Sequence, residues 1–162
     1  MDAIERFAAA EEIRTLKGRY CRAIDEKDLQ LLRGVFAEDA TADYSESRSA
    51  PNLRGAEPGA EGRSGAFGQP LRGADEIART IIAGVADMVT VHHCALGEIH
   101  VESADVARAV WPMVDRLLLP PGGPEKEIIG YGFYRETYAR QADGWKIKSI
   151  KLTRTRVDVL TS

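Results

Sequence analysis

Cysteine is scarce: Cys21 and Cys94 are the two in 162 residues, too few for the disulfide framework of a small secreted domain. One falls in an expected helix and the other in an expected strand, so both read as free thiols in a reducing compartment. Long apolar runs are missing too. Nowhere do about 18 apolar residues follow one another, which excludes a membrane-spanning helix. Phe7-Ala8-Ala9-Ala10 runs straight into Glu11 and Glu12 with no basic segment before it, so no signal peptide is expected and the expected compartment is the cytoplasm. There is no surplus of positive charge either. The formal net charge is −3, which offers no general attraction to nucleic acid or to an anionic membrane surface, and neither is expected as a partner.

Several chemical signatures are absent as well. Gly130-Tyr131-Gly132 lacks the third glycine of a dinucleotide fingerprint and lies in a strand signal, and no P-loop or Gly-x-Ser-x-Gly occurs. His92 and Cys94 share a strand face and Asp25 could supply a third ligand. No Cys-x-x-Cys, His-x-x-x-His or His-Glu-x-x-His spacing accompanies them, so neither a metal nor any other cofactor is expected.

What the chain does have is the composition of a globular protein, 44% hydrophobic and 29% charged, at a length that fits one domain over 1–162. Ile13, Leu16, Tyr20 and Ile24 recur at helical steps, predicting an amphipathic helix from Ile4 to Ile24. Asp28 reads as the N-cap of a shorter helix carrying Leu29, Leu32 and Phe36. Ile77, Ile81, Ile82, Val85 and Met88 predict a third helix over Asp75 to Met88. Between them, 45–73 holds six glycines (55, 59, 62, 65, 68, 73) and three prolines (51, 58, 70). Such a loop is not expected to form a regular element; it is either a lid over a pocket or an insertion, with Phe67 and Leu71 as its only apolar anchors.

The second half reads as sheet. Val89–Glu102, Val106–Leu119, Glu127–Gln141 and Trp145–Val157 are separated by turn signals, predicting a four-stranded antiparallel meander. Pro112 removes a ladder donor, so an edge position or a bulge is expected there. Trp145 and Ile147 share one parity while Ile150 and Leu152 share the other, which predicts a bulge near Ser149. Helices against a bent sheet make an α+β cup.

Candidate site residues are polar groups in apolar surroundings. His92 and His93 are adjacent on a strand, so one imidazole faces inward and the other outward. Asp115 interrupts the face made by Ala109, Trp111 and Met113, and a buried carboxylate needs a partner. Tyr20, Asp25, Tyr44 and Tyr131 complete the set. Five residues of helix separate the directions of Tyr20 and Asp25 by about 140°, so the two meet in one pocket only if the helix ends there. Asp25, with Glu26, Lys27 and Asp28, also reads as ordinary solvated sequence between helices.

Taken together, Tyr20-x4-Asp25, Val35-Phe36-Ala37-Glu38-Asp39-Ala40, Thr90-Val91-His92-His93, Ala109-x-Trp111-x-Met113-x-Asp115, Gly130-x-Gly132-x-Tyr134 and Arg140-x2-Asp143-Gly144-Trp145-Lys146-Ile147 resemble the SnoaL-like branch of the NTF2-like superfamily. The similarity runs from Ile13 to about Asp158, the glycine-rich loop excepted. Within the branch it is nearest to cofactor-independent lyases of the bile acid 7-alpha-dehydratase type, with scytalone dehydratase and hexachlorocyclohexane dehydrochlorinase further off. The resemblance implies a cone in which a curved antiparallel sheet and N-terminal helices enclose a pocket, and a homo-oligomer, a trimer before a dimer. It implies Asp25 and His92 as the catalytic pair, with Tyr20 and Asp115 assisting. Tyr44, Tyr131, Trp111, Met113 and Phe67 are the expected substrate-binding positions.

The implied reaction is elimination from a small hydrophobic molecule, of steroid or polyketide type. His92 would take a proton, Asp25 would hold the imidazole and stabilise the imidazolium, and Tyr20 or Tyr44 would donate to the developing oxyanion. The superfamily's isomerases, polyketide cyclases and non-catalytic binding domains are the alternatives.

Overall fold

The computed structural model describes residues 1–47 and 68–161. Positions 48–67 of the expected loop, Phe67 among them, lie outside the described residues. The elements are α1 (Ala3–Glu26), α2 (Leu29–Gly34), β1 (Phe36–Asp43), β2 (Leu71–Arg72), α3 (Ala74–Val85), β3 (Val89–Cys94), β4 (Glu98–Val101), β5 (Val106–Leu118), β6 (Glu125–Gln141) and β7 (Gly144–Thr161).

α1 begins at a reciprocal capping box, in which Asp2 and Glu5 each accept the other's backbone N–H. It buries Ile13, Leu16, Tyr20 and Ile24, the face that the periodicity predicts. It stops at Lys27, whose left-handed backbone (φ 60°) closes the last carbonyls. Asp28 caps α2 through Leu31 N–H at 2.9 Å. Phe36, expected inside that helix, instead opens β1.

The strands form one curved sheet in the order β2-β1-β7-β6-β5-β3, with β4 also paired to β5. It is antiparallel except where β1 runs parallel to β7, so the expected four-stranded meander is extended by β1 and by the two-residue β2, which lies inside the segment read as loop. The first expected strand is broken into β3 and β4. Pro112 accounts for the break: Cys94 pairs with Met113 and Glu98 with Val110, so the residue without an amide donor stands opposite the gap. Its carbonyl is still used, accepting Ala95 N–H at 2.9 Å. The strand carrying Pro112 is therefore interior and unbulged against β6; the neighbouring strand is interrupted instead. The bulge in β7 lies where the parity switch places it. Thr137 pairs with Ser149 and Tyr138 with Ile147, leaving Lys148 extra.

Helices cover the concave face and bury the main core there, with Trp111 and Trp145 in it (3% and 4% exposed). Their parity on β5 and β7 directs both tryptophans inward, away from the outer sheet face. Among the described residues no helix is long and apolar enough to cross a membrane.

Candidate functional site

A cavity of about 390 Å³ lies between α1, the C-terminal end of α3 and the sheet, within the range of small-molecule sites. Ile24, Ile81, Val85, Met88, Leu117, Ile128 and Leu152 give it apolar walls, and the polar groups reaching it are Tyr20, Tyr44, His92, Asp115, Tyr134 and Arg154.

The helix end explains how His92 is held. β3 is an edge strand, and its outward amides need partners. Asp25, in the last turn of α1, meets that need: Oδ2 accepts His92 N–H at 2.9 Å and Oδ1 lies 2.7 Å from His92 Nδ1. Thr90 Oγ1 donates to Asp25 Oδ1 at 2.9 Å and accepts from Lys27 Nζ at 2.9 Å. Burial opposes ionisation of Asp25, yet the hydrogen bonds from the His92 ring and backbone and from Thr90 outweigh it and hold the carboxyl below its ordinary value. An ionised carboxylate only accepts hydrogen bonds. Nδ1 therefore carries the proton, and in the neutral ring the lone pair is on Nε2. His93 is exposed on the opposite strand face.

Asp115 stands directly across from His92 on β5, and Gly130 across from Asp115 on β6. A Cβ at Gly130 would fall 2.3 Å from Asp115 Oδ1 and 2.4 Å from Arg154 Nη1. The missing side chain is what lets Arg154 reach over β6 from β7 and bind Asp115 Oδ2 through Nη2 at 2.7 Å. The guanidinium also donates through Nε to the Ser47 carbonyl (3.0 Å) and through Nη1 to Met113 Sδ (3.2 Å). Oδ1 of Asp115 is buried and has no hydrogen-bond partner among the described residues. Above this pair, the Tyr20 and Tyr44 hydroxyls are 3.0 Å apart. Burial pushes both phenols up, so each stays a protonated donor at neutral pH.

Tyr20 and Asp25 do not converge. The helix continues through both, Tyr20 reaching the cavity while Asp25 stands behind His92. Tyr131 differs from expectation as well: Gly130, Gly132 and Tyr134 share the inward parity of β6, which leaves Tyr131 on the outer face, away from the cavity. Met113 supports Arg154 from below without lining the cavity, and Trp111 donates to the Tyr138 hydroxyl at 2.8 Å.

Arg154 is the residue that sequence reasoning passes over. Thr153-Arg154-Thr155-Arg156 reads as a solvent-facing strand, and the single hint is that a buried Asp115 requires a cation. Arg154 shares the inward parity of Ile150 and Leu152, which follows the bulge at Lys148; a second bulge, at Thr155 between the Tyr131–Arg156 and Gly132–Arg154 pairs, changes the parity beyond it. Lys17 is also buried (1% exposed), bound to Glu136 and set over the Tyr20 and Tyr134 rings at 4.0 and 3.7 Å from their centroids. Glu136 accepts from Tyr138 in turn. Among the described residues no cluster of His, Cys, Asp and Glu is arranged to hold a metal ion.

Solved structures with the same fold include the Kfla4162 protein of Kribbella flavida (24% identity, 97% of this chain and 95% of that one, TM-score 0.72). A candidate scytalone dehydratase of Novosphingobium aromaticivorans aligns at 20% identity over 94% and 87%, with a TM-score of 0.71. A LinA type 2 hexachlorocyclohexane dehydrochlorinase aligns at 16% identity over 99% and 95%, with a TM-score of 0.74. Comparison with curated protein sequences finds no match. The solved structures share the NTF2-like cone; the sequence pattern of the SnoaL-like domain matches residues 5–151, and on that match the chain belongs to the SnoaL-like domain family.

Proposed function

We propose that the protein is a cofactor-independent lyase that eliminates water, or a comparable leaving group, from a small hydrophobic ring compound. The observation that carries this reading is the orientation of His92: Asp25 holds Nδ1 protonated at 2.7 Å, so the base that meets a ligand in the cavity is Nε2. Nε2 takes the proton next to an activating group on the substrate, and Asp25 stabilises the imidazolium that results. The Tyr20 and Tyr44 hydroxyls donate to the oxygen that gains charge. Asp115, salt-bridged to Arg154, offers Oδ1 as an acceptor that orients a substrate hydroxyl, and the His92 imidazolium returns the abstracted proton to the departing oxygen, which leaves as water. The apolar walls select a hydrophobic ring, and the likeness to a candidate scytalone dehydratase and to a hexachlorocyclohexane dehydrochlorinase agrees with elimination.

The test is turnover of hydroxylated steroids, polyketide phenols and halogenated rings by the wild type and by His92→Ala. Elimination yields a product lighter by the leaving group and its proton; an unchanged mass with a moved double bond marks an isomerase. His92→Ala is expected to keep the fold and lose turnover, and a near-wild-type rate in that variant ends the mechanism. The same resemblance carries a homotrimer. Its subunits would meet through the outer sheet face, where Val110, Pro112, Val114, Tyr131 and Phe133 are half-buried; a monomer in sedimentation equilibrium at micromolar concentration refutes it.

A further inference from the structure

The groove on the other side of His92 has no part in the reaction above. It measures about 440 Å³, and Arg14, Lys17, Cys21, His93 and Cys94 border it together with His92. At its base Cys21 Sγ and Cys94 Sγ lie 3.6 Å apart. The placement follows from the Asp25–His92 contact. Cys21 precedes Asp25 by four residues, one helical turn or about 6 Å along α1. Cys94 follows His92 by two residues, about 6.6 Å along the same face of β3. With helix and strand running in opposite directions, equal steps bring the two sulfurs together as the carboxylate and imidazole are brought together.

We propose that Cys21 and Cys94 form a redox-active dithiol, a modification site that low-molecular-weight disulfides convert to an intramolecular disulfide joining α1 to β3. Cys94, half-buried and open to the groove, is the attacking residue; Cys21 is buried and resolves. The hydrogen bond from the Cys21 thiol holds Cys94 below its ordinary value; burial opposes the shift and the Lys17 ammonium supports it. The same hydrogen bond, with burial, pushes Cys21 up. The Cys94 thiolate attacks one sulfur of the incoming disulfide RS–SR, forming the mixed disulfide and releasing RS⁻, which takes a proton. Cys21 then loses its proton to solvent and attacks Cys94 Sγ, expelling the second RS⁻. Two protein thiols are oxidised by two electrons and one RS–SR is reduced to two RSH. Closure needs the sulfurs to move from 3.6 Å to about 2.05 Å. The link then pins together the two elements that carry Asp25 and His92.

The experiment treats the folded chain with glutathione disulfide, quenches in acid, alkylates, and reads intact mass and peptide map. The expected product is monomeric in covalent mass, lighter by two hydrogens, with Cys21 linked to Cys94 and no glutathione retained. Cys21→Ser is expected to stop at a stable glutathione adduct on Cys94, and Cys94→Ser to react at least about tenfold more slowly than wild type. A lasting adduct on the wild type, disulfide-linked dimers, or reaction only after unfolding overturns the proposal. The wild-type measurement decides without either variant, and it requires no substrate, so its outcome is independent of the proposed lyase activity.

Discussion

Replacing Asp25 with Asn changes one atom, and the structure says what that atom controls. Oδ2 accepts the His92 amide at 2.9 Å and Oδ1 faces His92 Nδ1 at 2.7 Å. In Asp25→Asn the retained oxygen keeps the backbone amide, since an NH₂ cannot sit against another N–H, and the new NH₂ then faces Nδ1. Nδ1 must become an acceptor, so the ring proton moves to Nε2 and the base is lost toward the cavity. The change also replaces charge-assisted hydrogen bonds by neutral ones, a difference of about 1 kcal/mol for each of the two from His92, or about 2 kcal/mol together. Asp25 is only 27% exposed in its side chain, so solvent relieves little of that. For a domain of this size the thermal midpoint should fall by about 4–8 °C. Turnover should fall by about 10⁴-fold, as expected when a histidine base is held in the wrong tautomer. The assay that needs no substrate is long-range ¹H–¹⁵N correlation of the His92 ring at alkaline pH: protonated Nδ1 in the wild type, protonated Nε2 in Asp25→Asn. An Nε2-protonated ring in the wild type, or an unchanged tautomer in the variant, refutes the reasoning.

Glu136→Gln strips the counter-charge from Lys17, which is 1% exposed, and should cost about 3–5 kcal/mol in urea unfolding; Lys17→Met with Glu136→Leu should recover most of it, and a cost below about 1 kcal/mol for the single change would contradict the ion-pair account. Gly130→Ala places a methyl where Asp115 and Arg154 now meet, at 2.3 and 2.4 Å, and is expected to destabilise by about 1–3 kcal/mol and to weaken ligand binding in calorimetry, whereas unchanged binding would remove the pair from the site. Because folding lowers the Asp25 pKa, its contribution is complete above the unfolded value of about 3.9 and is lost as pH falls through the lower folded value. The stability difference between wild type and Asp25→Asn should accordingly not shrink between neutrality and about pH 4 and should be lost only below it; shrinkage beginning above pH 5 would contradict the shift.

Local chemistry made part of this protein legible in the chain itself. The α1 stripe, the Asp28 cap and the parity switch around Lys148 depend on neighbours within a few residues, which a sequence displays directly. The opposite facing of His92 and His93 follows from strand alternation alone. The tertiary structure decided what depends on partners far along the chain. Phe36 reads as the end of the second helix and the residues after it as no element, because Phe36-Ala37-Glu38-Asp39 shows no strand alternation; pairing with β7 makes this stretch a strand. Pro112 announced a missing donor, but which strand yields to it was settled by where β3 and β4 meet β5. Asp115 announced a need for a cation, and Arg154, 39 residues on, meets it only because the bulge at Lys148 turns it inward and Gly130 leaves room for its side chain to reach over β6. The polar floor of the cavity was thus half written in local pattern; the other half is sheet register, which no short stretch of sequence contains.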